Sequence, residues 1–366
     1  MTARAAWTGP RLPTLCQTVP MGASAAGVDW ADRAAVAERT ITDRYLRRLA
    51  GVLPGTRIGR LRWPRRMLRR TWSWSWNYWW QAHLLDCLVD AQLRAPNPRR
   101  PGTIAALART VKLRNLGHWT NSYYDDIAWF GLAVQRAGPL GRGSTVPALA
   151  AITAQLVDGW TEDAGGGIWW RRGDDFKNAP ANGPAAILLA RDGRPDVAAA
   201  IADWMAETLV DPATGLVRDG VRVGFDGAVR AVEPTVYTYC QGVHLGACIE
   251  LAERDGHVRW LDRAVGVLDA VGTRLADPDG VVPGYDDGGD GGLFNGILTR
   301  YLADAAVRRP ELAPVAARIV LASADAAWRG RAEIAGGPGS QTRRKQLPWI
   351  TSSQTRSPGA NPAPAE

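Results

Sequence analysis

SYYDDIAWFGLA (residues 122–133) sets a pattern from which the fold is predicted: aromatic and polar residues come first, and small apolar residues follow. Four other segments have the same order of residue types: WNYWWQAHLLD (76–86), FKNAPANGPAAILLA (176–190), YTYCQGVHLGACIEL (237–251) and LFNGILTRYLADA (293–305). Successive segments lie 46, 52, 63 and 55 residues apart, measured between Tyr78, Tyr124, Phe176, Tyr239 and Phe294. This spacing predicts a helical hairpin with a loop of variable length, repeated along the chain.

Helical patterning covers most of the chain, because apolar residues recur at intervals of three and four while Gly, Pro and Asp mark the gaps. Helices are predicted at 30–50, 77–94, 102–113, 122–137, 145–159, 178–191, 195–209, 237–254, 257–275, 292–306 and 310–328. A small β-hairpin is predicted within LVRDGVRVGFDGAVRAV (216–232). Helices between the five repeated segments, such as RAAVAERTITDRYLRRLA (33–50), have one polar face and are typical of an outer layer.

Alternating inner and outer helices predict an all-α fold, an (α/α)6 toroid of helical hairpins. An open helical solenoid is the alternative, but it does not explain why one end of the inner helices gathers the aromatic residues. A toroid needs six inner helices, and the sequence supplies five. Residues 336–366, which should supply the sixth, are polar and Pro-rich, so this helix is expected to be missing or degenerate. We therefore expect a disordered leader (1–27), one toroid domain (28–330) and a disordered Pro/Ser/Arg-rich tail (331–366).

The positive charge of the chain lies outside the predicted domain core. The formal net charge is +8, yet residues 1–72 hold 14 Arg against 4 Asp and Glu, and residues 73–336 have a net charge of −5. The dense basic run RLRWPRRMLRR (60–70) is expected to be a solvated helix face or linker, with an anionic lipid or phosphorylated glycan as the less favoured partner. No recognisable module accompanies it, so a nucleic-acid partner is not expected.

Cysteine usage and hydropathy indicate the expected location of the chain. Cys16, Cys87, Cys240 and Cys248 form no CxxC pair, which favours free thiols over disulfides or a metal site. Neither an apolar signal-peptide region nor about 18 uninterrupted apolar residues are present, so no membrane span is predicted. We expect a cytoplasmic monomer, or an extracytoplasmic one if the start of the chain is misassigned. A later start at Met21 would shorten the leader without exposing an export signal.

The strongest catalytic candidates are the adjacent carboxylates Asp125 and Asp126, at the start of a predicted inner helix. Neighbouring helical side chains point about 100° apart, so both can flank one small group. Backbone amides at the helix N-terminus stabilise one carboxylate as an anion, and nearby aromatic residues raise the pKa of the other by desolvation. Glycosidases need two carboxyls with separated pKa values. Asp174–Asp175 and Asp286–Asp287 are rival pairs in the same chain.

The aromatic residues are explained by a sugar-binding cleft. A pyranose has apolar C–H faces and a fringe of hydroxyls, so it needs flat aromatic platforms beside amides and carboxylates. Residues 71–80, TWSWSWNYWW, hold five of the 17 tryptophans. The predicted aromatic contacts are Trp76, Trp79, Trp80, Tyr124, Trp129, Trp169, Trp170, Tyr239 and Phe294. The predicted amide contacts are Gln81, Asn178, Asn182, Gln241 and Asn295.

Five motifs, in order across roughly residues 30–328, resemble the endo-α-1,6-mannanase family of glycoside hydrolases, family 76. They are YYDDIAW (123–129), GGGIWW (165–170), KNAPANG (177–183), YTYCQGVHLGA (237–247) and LFNGILTRYL (293–302). The resemblance implies an (α/α)6 barrel and retaining hydrolysis of α-1,6-mannoside linkages in α-mannan or mannooligosaccharides. It implies that Asp125 is the nucleophile and Asp126 the acid/base, without cofactor or metal. A related fungal branch implies transglycosylation as an alternative.

The chain departs from that family at a few positions. Cys240 stands where the family usually has Asn, Asn295 stands where a basic residue is common, and Pro180 and Pro184 should interrupt an inner helix. These departures keep open a mannan-binding protein that has lost catalysis. A sugar epimerase of the same architecture is a further alternative, with His83 and His244 as its acid and base.

The acidic segment DPDGVVPGYDDGGDGG (277–292) does not match a calcium loop. With Asp277 as position one, position twelve is Gly288, where an EF-hand needs a bidentate Glu. An acidic rim loop is expected, in which Asp290 can still reach a sugar.

Overall fold

In the computed structural model, the described residues are 29–61, 76–141, 145–285 and 289–331. Within them the eleven predicted helices all form. The inner helices are α2 (Tyr78–Arg94), α4 (Tyr124–Ala137), α6 (Ala179–Arg191), α8 (Thr238–Arg254) and α10 (Gly291–Arg308). The outer helices are α1 (Trp30–Arg44), α3 (Arg100–Arg114), α5 (Val146–Asp158), α7 (Pro195–Thr208), α9 (Val258–Ala270) and α11 (Ala313–Arg329). The all-α prediction is confirmed.

The inner helices pack in chain order, α2 on α4, α4 on α6, α6 on α8 and α8 on α10. Each outer helix from α3 to α11 packs against the inner helix that precedes it. Helix α10 returns to α2, where Arg300 bonds Asp90 (2.6 Å) and Asp86 (3.2 Å). The helices therefore form a toroid. The segment expected to supply a sixth inner helix, 336–366, lies outside the described residues.

Small residues let the inner helices approach closely. A Cβ atom at Gly183 of α6 would lie 2.3 Å from the Val243 side chain of α8, and one at Gly242 would lie 2.9 Å from the backbone of Leu298 in α10. In α6 every residue from Ala179 to Ala190 is buried. The small residues that follow each aromatic helix start are thus the packing surface of the inner ring.

Helix α6 is continuous, so the prediction that two prolines interrupt it is wrong. Pro180 lies in the first turn, where a missing N–H breaks no helical hydrogen bond, and the helix passes through Pro184. The helix also starts later than the pattern suggests, because Phe176–Asn178 forms a strand and the Asn178 side chain caps the helix by accepting from Ala181 N (3.2 Å).

Two small antiparallel sheets lie between the helices. One pairs β1 (Leu46–Arg47) with β2 (Ile58–Gly59), so α1 ends before the predicted residue 50. The other has the order β3 (Phe176–Asn178), β4 (Gly220–Val223) and β5 (Val229–Glu233). Strands β4 and β5 confirm the predicted hairpin, and β3 was not predicted. This sheet places residue 219 beside the start of α6, because Ala179 N donates to Asp219 O (2.8 Å).

A cluster of charged residues joins the C-terminal ends of three inner helices, away from their aromatic starts. Glu250 of α8 is 3% exposed and forms ion pairs with Arg191, Arg254 and Arg308 at 2.5–2.7 Å. These ion pairs lower the pKa of Glu250 to about 2, against the opposing effect of burial. Among the described helices, none has the length and hydropathy that crossing a bilayer would require.

Candidate active site

Asp125 and Asp126 occupy the first turn of α4 and differ in their hydrogen bonds. Asp125 accepts from the backbone N–H of Asp126 (2.8 Å) and from Trp170 Nε1 (3.1 Å). Asp126 accepts from Asn121 Nδ2 (2.8 Å) and from the backbone N–H of Trp79. Both carboxyls are partly exposed. The donors to the pair therefore come from α2, from α4, from the loop that precedes α4 and from the loop that precedes β3.

The two carboxyls also differ in pKa. Burial raises the pKa of Asp125 to about 6, and the hydrogen bonds from Asp126 N and Trp170 oppose that rise. Burial raises the pKa of Asp126 well above its ordinary value, and the charge of Asp125 raises it further. The hydrogen bonds to Asp125 therefore favour its ionised form, and the neighbouring charge of Asp125 favours a proton on Asp126. One carboxylate beside one carboxylic acid is the chemistry that glycoside cleavage needs.

Several predicted aromatic contacts lie partly exposed on the elements around this pair: Trp79, Trp80, Trp170, Tyr239 and Phe294. Trp169 is also partly exposed, but its ring lies over the ammonium group of Lys177 (4.6 Å), so sugar contact by Trp169 stays a prediction. Trp80 Nε1 donates to Asp290 (2.7 Å), and the Tyr239 and Phe294 ring centroids are 4.4 Å apart. Partly exposed aromatic side chains therefore lie on α2 and also where α8 packs on α10.

The other aromatic predictions lie in different surroundings. Trp129 is 5% exposed and packs on His83, with centroids 4.7 Å apart. Tyr124 is 5% exposed and packs over Gly159 at the end of α5. Trp76 contacts Tyr78 (5.7 Å between centroids), and the guanidinium of Arg114 lies 5.6 Å from its ring. Sugar contact by these three stays a prediction, and their burial or packing favours a role in supporting the cleft.

The predicted amides share one structural arrangement. On four inner helices an amide near the start bonds the backbone of a loop 12–24 residues earlier in the chain. Three of them both donate to and accept from a single loop residue, as in a strand ladder: Gln81 with Gly59, Asn182 with Ile168, and Gln241 with Val217. Asn295 donates to Val282 O and Pro283 O. We call these four the amide clamps.

The amide clamps and the helix cap Asn178 are 0–4% exposed. Sugar contact by Asn178, whose Oδ1 caps α6, stays a prediction. In the four clamps the polar atoms are occupied by the backbone or, for Asn295 Oδ1, by the Thr238 hydroxyl (2.8 Å), so a direct sugar contact by them also stays a prediction, one that the geometry does not favour. Their position fixes the loops that carry the cleft residues, as Asn182 does for the loop leading to Trp170.

Changing Gln241 to glutamate is expected to destabilise the protein by about 3 kcal/mol or more at pH 7, because a buried carboxylate would replace the NH2 group. Gln241 Nε2 donates to Val217 O (2.8 Å) and Tyr237 O (3.0 Å), so the new oxygen would face two carbonyls. Urea unfolding measures the change. Gln92→Glu is the control, because Gln92 Oε1 only accepts, from Asn97 N and Arg100. Equal stability of the two variants would contradict the clamp.

Two further carboxylates lie near the pair Asp125–Asp126. Asp290 precedes α10, and its charge adds to the effect of burial in raising the pKa values of Asp125 and Asp126. Asp219 precedes β4, and its pKa is raised by burial and, to a smaller extent, by the charges of Glu233 and Asp125. Asp290 belongs to the acidic rim segment, where a sugar contact was predicted. Asp219 had no such signal, because an Asp-Gly step in a predicted hairpin is an ordinary turn signal.

The rival acidic pair Asp174–Asp175 is engaged in ion pairs. Asp174 and Asp175 contact Arg171, Arg222 and Arg230. The other rival pair, at 286–287, lies outside the described residues.

His83 and His244 face different neighbours. His83 packs between Trp79 and Trp129, whereas His244 contacts Cys248. Burial lowers the pKa of His83 to about 3 and that of His244 to about 4. These neighbours do not form a shared acid and base site for an epimerase.

Three of the four cysteines lie in the described part of the chain. Cys87, Cys240 and Cys248 are free thiols, as predicted, and Cys16 lies outside that part. Cys240 is fully buried, with Sγ 3.9 Å from Asp219 Oδ1. Within the same residues, no group of three or more His, Cys, Asp or Glu side chains is placed to hold a metal ion.

The sequence matches one known protein family over most of its length. Residues 29–362 match the family described as Glycosyl hydrolase family 76. The chain belongs to glycosyl hydrolase family 76. The match covers the whole toroid, and it agrees with the resemblance seen in the five motifs.

This family 76 chain is similar to curated and solved proteins. It is 29% identical over 221 residues to the mannan endo-1,6-alpha-mannosidase DCW1 of Candida glabrata, covering 53% of this chain and 49% of that protein. It thus spans about half the length of that curated relative. A solved α-1,6-mannanase, GH76A of Salegentibacter sp. HEL1_6, shares 28% identity with a TM-score of 0.72, covering 82% of this chain and 88% of that one.

An inactive variant of that mannanase, with two consecutive aspartates changed to asparagine, was solved in complex with α-1,6-mannotriose. This family 76 chain matches it with 27% identity and a TM-score of 0.71, covering 82% of this chain and 88% of that one.

Proposed function

We propose that this protein is a retaining glycoside hydrolase that cleaves α-1,6-mannosidic linkages in mannan-type glycans. The observation that carries the proposal is the adjacent pair Asp125 and Asp126 on α4, in which each carboxyl has its own hydrogen-bond donors. The named activities of the relatives from Candida glabrata and Salegentibacter support the choice of linkage.

In the proposed mechanism, Asp126 protonates the glycosidic oxygen while Asp125 attacks the anomeric carbon. The bond between that carbon and the leaving oxygen breaks, and a glycosyl ester forms on Asp125. Asp126, now a carboxylate, then removes a proton from water, which attacks the same carbon and releases Asp125. The hydrogen bonds from Trp170 Nε1 and Asp126 N favour the ionised nucleophile, and burial favours the protonated acid.

The polymer preference of the proposed substrate rests on the aromatic surfaces of the cleft. Trp79 and Trp80 lie on α2, Trp170 lies beside the nucleophile, and Tyr239 packs with Phe294 on the α8–α10 side. Aromatic faces on several sides of a carboxyl pair suit more than one sugar ring, because each pyranose presents its own apolar face.

The test is to incubate the protein with linear α-1,6-mannooligosaccharides and follow the first products by proton NMR. New α-anomers appearing before mutarotation are expected, and Asp125→Asn should remove them. Asp174→Asn is the matched control, because Asp174 is half of a rival pair held by Arg171 and Arg222. Initial β-anomers would contradict retention, and products longer than the substrate would replace hydrolysis with transfer. Absence of cleavage with broadened sugar resonances would replace the enzyme with a binding protein.

Activity is expected to have a bell-shaped pH dependence. The acid limb of kcat/KM should lie near pH 6, because Asp125 must be ionised and its pKa is raised to about 6. The alkaline limb should report loss of the Asp126 proton, whose pKa is raised further.

Changing Trp170 to phenylalanine should move the acid limb up by about one pH unit, since it removes one hydrogen bond to the ionised carboxylate. Trp169→Phe serves as the control, because Trp169 lies over Lys177 with its ring centroid 4.6 Å from Nζ. An unmoved acid limb in Trp170→Phe would contradict the assigned nucleophile.

A further inference from the structure

Asp219 is a third carboxyl of the cleft, and its backbone is fixed at both ends. Its N–H donates to Thr235 O (2.8 Å), and its carbonyl accepts from Ala179 N (2.8 Å) at the start of α6. It directly precedes β4, the central strand of the three-stranded sheet. The side chain is not needed for this anchoring, so the position of the carboxyl is set by the sheet and α6.

Among the described residues, the hydrogen-bonding contacts of the Asp219 side chain are long. Tyr239 OH lies 3.5 Å from Oδ1, and Cys240 Sγ lies 3.9 Å from the same oxygen. A thiol is a weak donor, and the tyrosine contact is at the limit of hydrogen-bond distance. Carboxyls that are largely enclosed normally have close donors, because an unpaired polar group in such a place costs free energy. Asp219 therefore has hydrogen-bonding capacity left for a ligand.

The surroundings of Asp219 are those of a sugar subsite. The charge of Asp125 acts on Asp219, which places the third carboxyl near the nucleophile. Its neighbour Tyr239 stacks on Tyr237 at 5.4 Å and packs on Phe294 at 4.4 Å between centroids. A flat aromatic group next to a carboxyl matches the apolar face and the hydroxyl fringe of one pyranose.

Asp290, the other nearby carboxylate, already has a close partner. It lies at the start of α10 and accepts a hydrogen bond from Trp80 Nε1 (2.7 Å). The side-chain hydrogen bonds of Asp219 within the described residues are 3.5 Å or longer, so Asp219 is the better candidate for holding a hydroxyl group.

We propose that Asp219 binds the sugar whose anomeric carbon Asp125 attacks, by hydrogen bonds to secondary hydroxyls of that ring, and thereby selects its configuration. The inference rests on the proposed glycosidase function. Burial, and then the charge of Glu233, raise the pKa of Asp219 to about 7. Near neutral pH the carboxyl can therefore either accept a hydrogen bond from a hydroxyl or donate one to it.

The test pairs a side-chain deletion with a hydroxyl deletion. The parent substrate is an aryl α-1,6-mannobioside. Three analogues each lack one hydroxyl, at position 2, 3 or 4 of the ring that carries the aryl group, and kcat/KM is compared between the parent and each analogue. In the wild-type protein, one or two of these analogues should lose about 10–100-fold in kcat/KM, the range for a hydrogen bond to a charged group. Asp219→Ala should lower kcat/KM for the parent substrate by a similar factor. On the analogues that the wild-type protein already cleaves poorly, Asp219→Ala should lower kcat/KM by almost nothing further. Asp219→Asn, which keeps the shape, should lose less than Asp219→Ala.

A purely structural role would give a different pattern. In that case Asp219→Ala would lower kcat/KM for the parent and each deoxy analogue by the same factor, and the inference would be overturned. Asp192→Ala is the control for the same chemical change, because Asp192 caps the opposite end of α6. Circular dichroism and thermal unfolding report whether each variant is folded.

Failure of the proposed function would be visible separately. If the wild-type protein cleaves neither the aryl mannobioside nor linear α-1,6-mannooligosaccharides, the hydrolase assignment fails. Calorimetric titration of Asp125→Asn with α-1,6-mannotriose, with and without Asp219→Ala, then decides the inference. About 10-fold weaker binding in the double variant would support a sugar contact, since one such contact contributes on the order of 1.5 kcal/mol. Unchanged binding, or no binding of mannotriose by either variant, would overturn it.

Discussion

Asp125→Asn is expected to abolish cleavage of linear α-1,6-mannooligosaccharides and to raise the thermal stability of the protein at pH 7. Cleavage is lost because the amide cannot form the glycosyl ester. The loss should be at least as large as the roughly 10²–10⁴-fold that removal of a general acid costs. Reducing-end assays and NMR of the products measure it.

The stability of the Asp125→Asn variant should be higher at pH 7 because ionisation of Asp125 is less favourable in the native state than in the unfolded state. The unfolded pKa of Asp is about 3.9, and burial raises the folded value for Asp125 to about 6. The folded state therefore binds more protons than the unfolded state between these values, and native stability falls as pH rises through that window. Above about pH 6 the full cost is present, and the asparagine variant avoids it. Below about pH 4 the advantage of the variant should vanish.

Asp126→Asn provides the comparison for the catalytic roles. It should lower cleavage of mannooligosaccharides by about 10²–10⁴-fold, yet it should affect an aryl mannoside much less, because a good leaving group needs little protonation. Asp125→Asn should be equally inactive on both substrates. If the two variants showed the reverse pattern, the roles of nucleophile and acid would have to be exchanged.

Glu250→Ala is expected to destabilise the protein by about 3–5 kcal/mol, the cost of removing one member of a buried ion cluster. The carboxylate is 3% exposed and joins Arg191, Arg254 and Arg308, which come from α6, α8 and α10. Without it, three guanidinium groups at the end of the ring lose their shared partner and repel one another. Urea unfolding at pH 7 measures the free energy change.

The control and the pH dependence make this prediction specific. Glu253→Ala removes a partner of Arg308 that is 38% exposed, and it should cost less than about 1 kcal/mol. The pKa of Glu250 is lowered to about 2 in the fold, against about 4.3 unfolded. Its contribution is therefore complete above about pH 4.3 and is lost as pH falls toward 2. Equal destabilisation by the two substitutions would show that the cluster adds nothing beyond surface pairing.

Helix positions and the place of Asp125 and Asp126 at a helix start could be predicted from the sequence because both depend on local order. The period of apolar residues locates most helix ends to within a few residues, although α1 ends at Arg44 and not at the predicted residue 50. Strand β3 could not be predicted, since Phe176–Asn178 owes its conformation to pairing with Gly220–Arg222, more than forty residues later. Asp219 was missed for the same reason, because its proximity to Asp125 exists only after β4 is in place.

The amides show a second limit of prediction. Gln81, Asn182, Gln241 and Asn295 were expected to bind sugar because amides suit hydroxyls, and the sequence placed them near the cleft. The same donor and acceptor pair suits a peptide group equally well. Only the folded chain shows which of the two partners each amide meets, and in all four it is the backbone of a loop.

The amide clamps hold their segments through peptide groups, by the N–H and the carbonyl of one residue. A clamped residue such as Ile168 or Val217 is also fully buried, so its side chain belongs to the core and cannot be exchanged freely. Partly exposed residues of the same loops, such as Arg218 beside Val217, are neither clamped in this way nor part of the core. In evolutionary terms, the glycan specificity of this toroid can change at those exposed positions while the frame stays the same, and a library confined to them would sample new specificities in a protein that still folds.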